Sequence, residues 1–184
     1  MTETFIQFTV LLAFLANGVL VLLVVGGLSR QAPAGKSNLK SWLTLNLGEV
    51  GLWFAFAVAA MATTGSLIYS EGLDYEPCRL CWFQRIFMYP LAVVLGIAAL
   101  RRDRKIWRYT IPLAVIGGSI SIYHSLIEHF PTLESSSCSL SVPCSTPPVW
   151  RYGFVSLAYM ALSGFVLIIA TLLYVRRSEG LAVE

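Results

Sequence analysis

The stretch Cys78-Arg79-Leu80-Cys81-Trp82-Phe83-Gln84-Arg85 brings together two thiols and a cation where an acidic loop runs into a long apolar segment. A helix that starts near Pro77, a residue suited to a first helical turn, puts Cys78, Cys81 and Arg85 on one stripe. Thiolate is the reactive form of cysteine, and a helix N-terminus with a cation nearby lowers a thiol pKa from its usual ~8.5. Such a pair suits redox chemistry. The spacing alone also admits half of a zinc site, a structural disulfide, or cysteines that merely fill apolar space. Arg85 has a plainer reading too, as an anchor whose head snorkels to a membrane interface.

The elements that must hold these residues are set by composition. Of 184 residues, 57% are hydrophobic and 12% charged, and the mean hydropathy is +0.71, which describes an integral membrane protein and argues against a water-soluble globule. The net charge of +3 does not point to nucleic acid, because the cations lie in clusters between apolar runs and not on a patch interleaved with aromatics. Four cysteines allow three pairings. Disulfides persist on the oxidising side of a membrane.

Five apolar segments follow one another. Phe5 to Leu28 is long enough to cross a hydrocarbon core of ~30 Å. Met1 to Thr4 carry no positive charge while Arg30, Lys36 and Lys40 follow, the reverse of a signal peptide, so a retained helix is expected. Ser29 to Asn46, with Pro33 and Gly35, reads as a cytoplasmic loop. Leu47 to Tyr69 is the second crossing, with Glu49 as an interfacial group near its inner end. Ser70 to Pro77 holds Glu71, Asp74 and Glu76 without a lysine or arginine and is placed outside. Trp82 to Leu100 is the third crossing, with Pro90 inside it as a bend or packing feature. Arg101, Arg102, Arg104, Lys105 and Arg108 then make the strongest cytoplasmic signal in the chain. Tyr109 to Ile127 returns outward through Gly117, Gly118, Ser119 and Ser121, residues that permit close helix contact. His124, near its outer end, reads as an interfacial side chain with a wet face or as a ligand at the depth of Arg85. Tyr152 to Val175 is the last crossing, closed inside by Arg176 and Arg177.

The long loop from Glu128 to Arg151 contains Ser135 to Ser137, then Cys138 and Cys144, then Pro147 and Pro148, a composition for an exposed segment. The spacing of Cys138 and Cys144 does not match a usual zinc knuckle, and neither pair has a histidine in the ligand pattern, so no metal is expected and a local disulfide fits better. Five crossings put the N-terminus outside, the C-terminus inside and both cysteine pairs on one oxidising face. That coincidence strengthens the redox reading.

Pro77 to Leu91, with the later Tyr123-His124 and the Val142-Pro143-Cys144 loop, resembles the DsbB/BdbC family of quinone-reducing, disulfide-forming membrane proteins. The likeness covers the four crossings from about residue 47 to 175. It implies an all-α membrane fold: a DsbB-like four-helix bundle over 47–184, preceded by an additional N-terminal helix and cytoplasmic loop over 1–46. It further implies a bacterial inner-membrane enzyme that reoxidises an extracytoplasmic thioredoxin-fold thiol oxidase of DsbA/BdbD type and passes electrons to ubiquinone or menaquinone. Under that resemblance Cys78 and Cys81 form the disulfide beside quinone, and Cys138 and Cys144 form the disulfide that meets the partner's dithiol. Arg85 is the donor to a quinone carbonyl and favours a nearby thiolate; His124 is a second quinone-site residue.

Three departures stand out. The first helix is extra, Gln84 occupies a position where some members have a carboxylate, and the short Cys138–Cys144 spacing is closer to the BdbC branch. A vitamin K epoxide reductase-like enzyme also couples thiols to quinone, but there the loop cysteines precede the Cys-x-x-Cys, the opposite of the order here. A non-catalytic scaffold with structural or metal-binding cysteines is the alternative from another class.

Overall fold

The computed structural model describes residues 2–29, 38–134, 138 and 142–180, and side chains within 3–22, 48–134, 138 and 142–177. The cationic connection from Arg30 to Ser37 and the serines Ser135 to Ser137 lie outside the described residues. Among the described residues five α-helices carry the fold: α1 (Thr2–Ser29), α2 (Asn38–Leu67), α3 (Arg79–Arg101), α4 (Trp107–His129) and α5 (Leu157–Gly180). Each includes a segment long and apolar enough to cross a membrane. Apolar residues continue round to the outside, with Val93, Ile97, Ile116 and Ile122 about half exposed or more. Helices that are apolar on every side are those whose outer face meets lipid.

α2 packs against α3 and α5, and α4 packs against both of these in turn, closing a four-helix ring; α1 lies outside it along α5. Leu52, Leu91, Leu95, Phe165, Ile168 and Leu172 form the fully buried centre. Gly117 sets the α4–α5 approach, since a Cβ there would stand 2.4 Å from the Phe165 ring. α2 and α5 are equally close at the cationic end, where a Cβ on Gly51 would meet Val175 at 2.7 Å.

The two ends differ in chemistry. At one, Arg102 closes α3 in the left-handed conformation (φ 54°), Glu49 faces Arg102 at 3.7 Å and Arg104 at 3.9 Å, and Arg176 lies over the Trp107 ring at 4.7 Å. Glu49 is thus paired with cations at that end. Both cysteine pairs lie at the other end, and Glu3 of α1 is bonded there to Arg151.

Several boundaries depart from the sequence reading. α2 begins at Asn38, nine residues before Leu47, because no proline or glycine interrupts the intervening stretch before Gly48. At its far end it continues through a wide π turn, Ile68–Gly72, into a span expected to be loop. α5 starts at Leu157 and not at Tyr152: Tyr152 (φ 53°) and Gly153 (φ 79°) make a left-handed turn closed by bridging of Arg151 and Val155, and Ser156 caps the helix by accepting from the Tyr159 N–H at 3.1 Å.

Candidate functional site

Cys78 is the N-cap of α3, whose first helical residue is Arg79, two residues beyond a start at Pro77. Its backbone is extended (φ −65°, ψ 169°), and its sulfur accepts from the Cys81 N–H at 3.4 Å, the place usually taken by a serine or aspartate oxygen. Pro77 precedes the cap. Cys81 follows on the first turn, and the two sulfurs stand 3.2 Å apart as thiols. The disulfide expected between them is thus not formed here, whereas Cys138 and Cys144 are joined. The Cys78 thiol is lowered from an ordinary 9.0 to about 4, chiefly by its hydrogen bond with the Cys81 thiol, with burial opposing and His124 adding to the lowering.

His124 is not on a wet face; it is 2% exposed. Its Nε2 lies 3.6 Å from the Cys78 sulfur and 3.8 Å from Glu128 Oε1, and its Nδ1 is 3.3 Å from Gln84 Nε2. An amide nitrogen only donates, so Nδ1 accepts from Gln84 and Nε2 carries the hydrogen that faces Cys78 and Glu128. Glu128, read from sequence as the start of the outer loop, sits buried in the last turn of α4 and accepts a hydrogen bond from Ser156. The sequence signal for it was the i, i+4 spacing from His124, which puts both on one side of a helix. In the sequence Gln84 stands out only as a departure from relatives with a carboxylate there, and Ser156 carries no signal at all.

Arg85 is 9% exposed. Ser66 holds it: Nε donates to Ser66 Oγ at 2.9 Å and Nη2 to the Ser66 carbonyl at 3.0 Å, with the guanidinium 5.2 Å from the Trp82 ring centre. The groups that lower the Cys78 thiol are chiefly Cys81 and His124. Ser66 commits two of the five guanidinium donors and fixes the plane of the group.

The second pair is held from beneath. Cys144 is 2% exposed and Cys138 more accessible. Cys78, Ile127 and Cys144 form one buried cluster, with Cys81, Cys138 and Val142 packed against it. Glu134 accepts from the Cys144 N–H at 2.7 Å and from the Ser145 hydroxyl at 2.6 Å. These bonds, Ser145 foremost, hold its carboxyl below the usual range. Nothing in the sequence had singled out Glu134.

Below the sulfurs lies a cavity of about 430 Å³, lined by Cys78, Cys81, Arg85 and His124 and walled by apolar side chains of α1, α2, α3 and α5. Tyr89, one turn beyond Arg85, lines it too, and its buried hydroxyl has no hydrogen-bond partner among the described residues. The donor atoms of Cys78, Cys81 and His124 converge within 4.8 Å, a set that could also hold a thiophilic metal.

The family model for disulfide bond formation protein DsbB matches residues 48–175. Disulfide bond formation protein C of Bacillus subtilis (strain 168) is 42% identical over 121 residues, covering 65% of this chain and 88% of its own length. Probable disulfide formation protein C 1 of Bacillus anthracis is 41% identical, over 65% and 87% of the two chains. The probable disulfide formation protein of Deinococcus radiodurans is 38% identical over 138 residues, 70% and 90%. No solved structure matches the chain. A helical membrane fold, a reactive thiol at a helix cap and this matched span lead to one conclusion: the chain belongs to the DsbB family, and is a membrane oxidoreductase that forms disulfide bonds.

Proposed function

We propose that this protein is a thiol:quinone oxidoreductase that reoxidises an extracytoplasmic thioredoxin-fold thiol oxidase of DsbA/BdbD type and delivers the electrons to a membrane quinone, ubiquinone or menaquinone. The observation that carries it is the apolar cavity onto which the Cys78/Cys81 dithiol, Arg85 and His124 converge. Tyr89 strengthens the fit, since a carbonyl acceptor is what its unpartnered hydroxyl lacks. Quinone supplies an acceptor for two electrons and two protons.

The chain's own residues do the rest. Cys138 is the more accessible loop sulfur, so a partner thiolate attacks there, Cys144 leaves, and the partner's second thiol resolves the mixed disulfide. The partner is oxidised by two electrons and the loop pair reduced by two. Cys144, buried beside Cys78, then attacks the Cys78–Cys81 disulfide. Cys138 displaces the resulting mixed disulfide, which restores the loop disulfide and leaves the inner pair as thiols. Oxidation of that dithiol back to the disulfide releases two electrons and two protons toward the cavity. Cys78 is held ready as the thiolate, and Nε2 of His124 is positioned to exchange a proton beside it.

The residues 47–184 form the bundle of the family and 1–46 an added element. The chain sits in the bacterial inner membrane with the thiol end and N-terminus outside and the C-terminus inside. Cysteine pairs at one end and cations at the other support that orientation.

Trapping tests this function. With the oxidised thioredoxin-fold oxidase supplying the disulfide, the lone Cys138 thiolate of Cys144→Ser attacks it, displaces the partner's second sulfur as a thiol and should accumulate a covalent complex, while Cys138→Ser, whose remaining loop sulfur is buried, should not. Absence of a complex from both variants, with quinone-dependent dithiol oxidation also absent from the unaltered protein, would reject it. The convergence of Cys78, Cys81 and His124 favours one other reading, a metal-holding scaffold; one tightly bound zinc per chain with no thiol turnover would support that instead.

A further inference from the structure

We infer that α1 is the outer wall of the electron-acceptor pocket, so that side chains outside the family's matched span set how the acceptor is held. The inference rests on the quinone reading above and deepens it. The matched span begins at residue 48, beyond α1. Yet Thr9, Leu12, Ala13, Ala16 and Val19 line the cavity, at the spacing that puts them on one side of a helix. Phe8, Leu11 and Leu22, on other sides, are 56%, 56% and 72% exposed.

The gap that α1 covers arises within the bundle. α2 and α5 touch closely at Gly51 and Val175, but toward the thiol end they diverge: a Cβ on Gly65, which lines the cavity, would meet nothing within 4 Å. α1 is fixed across that opening by three polar contacts from two of its residues, which within a bilayer hold helices together where apolar contact alone is indifferent. Asn17 donates to the Tyr159 hydroxyl and to Ser163 Oγ of α5, each at 3.2 Å. Thr9 meets the Tyr69 hydroxyl at the end of α2 at 2.7 Å. Among the described residues α1 packs closely along α5 and only sparsely on α2. The side between α1 and α2 is therefore the entrance from lipid, and the Thr9–Tyr69 bond lies at its thiol end. An apolar ring with a tail fits a pocket walled this way.

The test uses the full chain in lipid nanodiscs with decylubiquinone as acceptor and a reduced thioredoxin-fold protein as donor. Ala16→Phe should raise the quinone KM about tenfold by overpacking the pocket. It should leave quinone-free, single-turnover reduction of the Cys138–Cys144 disulfide unchanged, a reaction that also reports folding. Leu11→Phe, on the lipid side, should leave both unchanged. A photoreactive azidoquinone should label the α1 peptide between Thr9 and Leu22, with competition by decylubiquinone. An unaltered KM in Ala16→Phe, together with no label on α1, overturns the inference alone. Failure of the unaltered chain to reduce decylubiquinone overturns the proposed function and this inference with it.

Discussion

The two cysteine pairs lie in one buried cluster but are supported in different ways. Cys78 caps a helix and is surrounded by a thiol, a histidine and, through that histidine, a buried carboxylate. Every one of those contacts comes from helices of the ring. Cys138 and Cys144 lie in a loop supported in part by Glu134 and the turn around Pro143. In the proposed relay the inner pair would hold charge and the outer pair would be reached by the partner. A relay needs both properties, and one pair cannot supply them together: the burial that shields the charged sulfur from water also shields it from a protein partner.

The largest effect should come from removing the inner sulfur. With Cys78→Ser, quinone-dependent oxidation of a partner dithiol should fall by ~10³-fold or more, the usual scale for loss of an acting nucleophile. Single-turnover reduction of the Cys138–Cys144 disulfide should persist at close to its normal rate. If that first exchange disappears as well, the pairs are not separable and the division of labour is wrong.

The charge-holding half can be sharpened by pH. The Cys78 thiol is depressed to about 4, so with the inner pair reduced its alkylation by iodoacetamide should stay nearly constant from pH 8 down to about pH 5. An ordinary thiol near ~8.5 would lose about tenfold per unit over that range. The same depression ties stability to pH. The contribution is fully present above the unfolded thiol's pKa and is lost as pH falls toward about 4, because the unfolded state binds the proton first. His124→Gln removes one lowering group and should move the onset of the alkylation decline upward. A tenfold decline per unit already in the unaltered protein would remove the electrostatic distinction between the pairs.

Much of this arrangement was legible in sequence, for a physical reason. Thiols, and cations clustered between apolar runs, are chemically or topologically committed wherever they occur, so Cys78, Cys81, Cys138, Cys144 and Arg101 to Arg108 announced themselves. The neighbours of the inner thiol did not. His124 is buried because Gln84 and Glu128 satisfy it from positions 40 residues away and four residues on, and a single histidine does not reveal which partners packing will bring. Arg85 was recognisable as a special residue, but its turn toward Ser66 depends on how α2 ends, in a π turn that periodicity does not foretell. The start of α5 was missed because Tyr152-Gly153-Phe154 is apolar enough to pass as helix, while its left-handed turn is a backbone property.

The smallest effect should come from Glu134, the support of the outer pair. Its carboxylate holds the Cys144 N–H and the Ser145 hydroxyl, and those bonds are what lower it below the ordinary carboxylate range. The bonds are strongest when Glu134 is ionised, so loop order should be complete at neutral pH and weaken as pH falls through its lowered value. Glu134→Gln keeps the shape but removes the charge, and its carbonyl can accept only one of the two bonds, the NH2 facing the other group as a donor. Exchange at Cys138–Cys144 should then change about two- to threefold, within the range expected when a charge-assisted hydrogen bond becomes a neutral one, while the flat pH profile of Cys78 alkylation should stay where it was. A shift in the Cys78 profile would mean that the loop carboxylate acts on the inner thiol across the cluster, and the two supports would then have to be treated as one electrostatic unit.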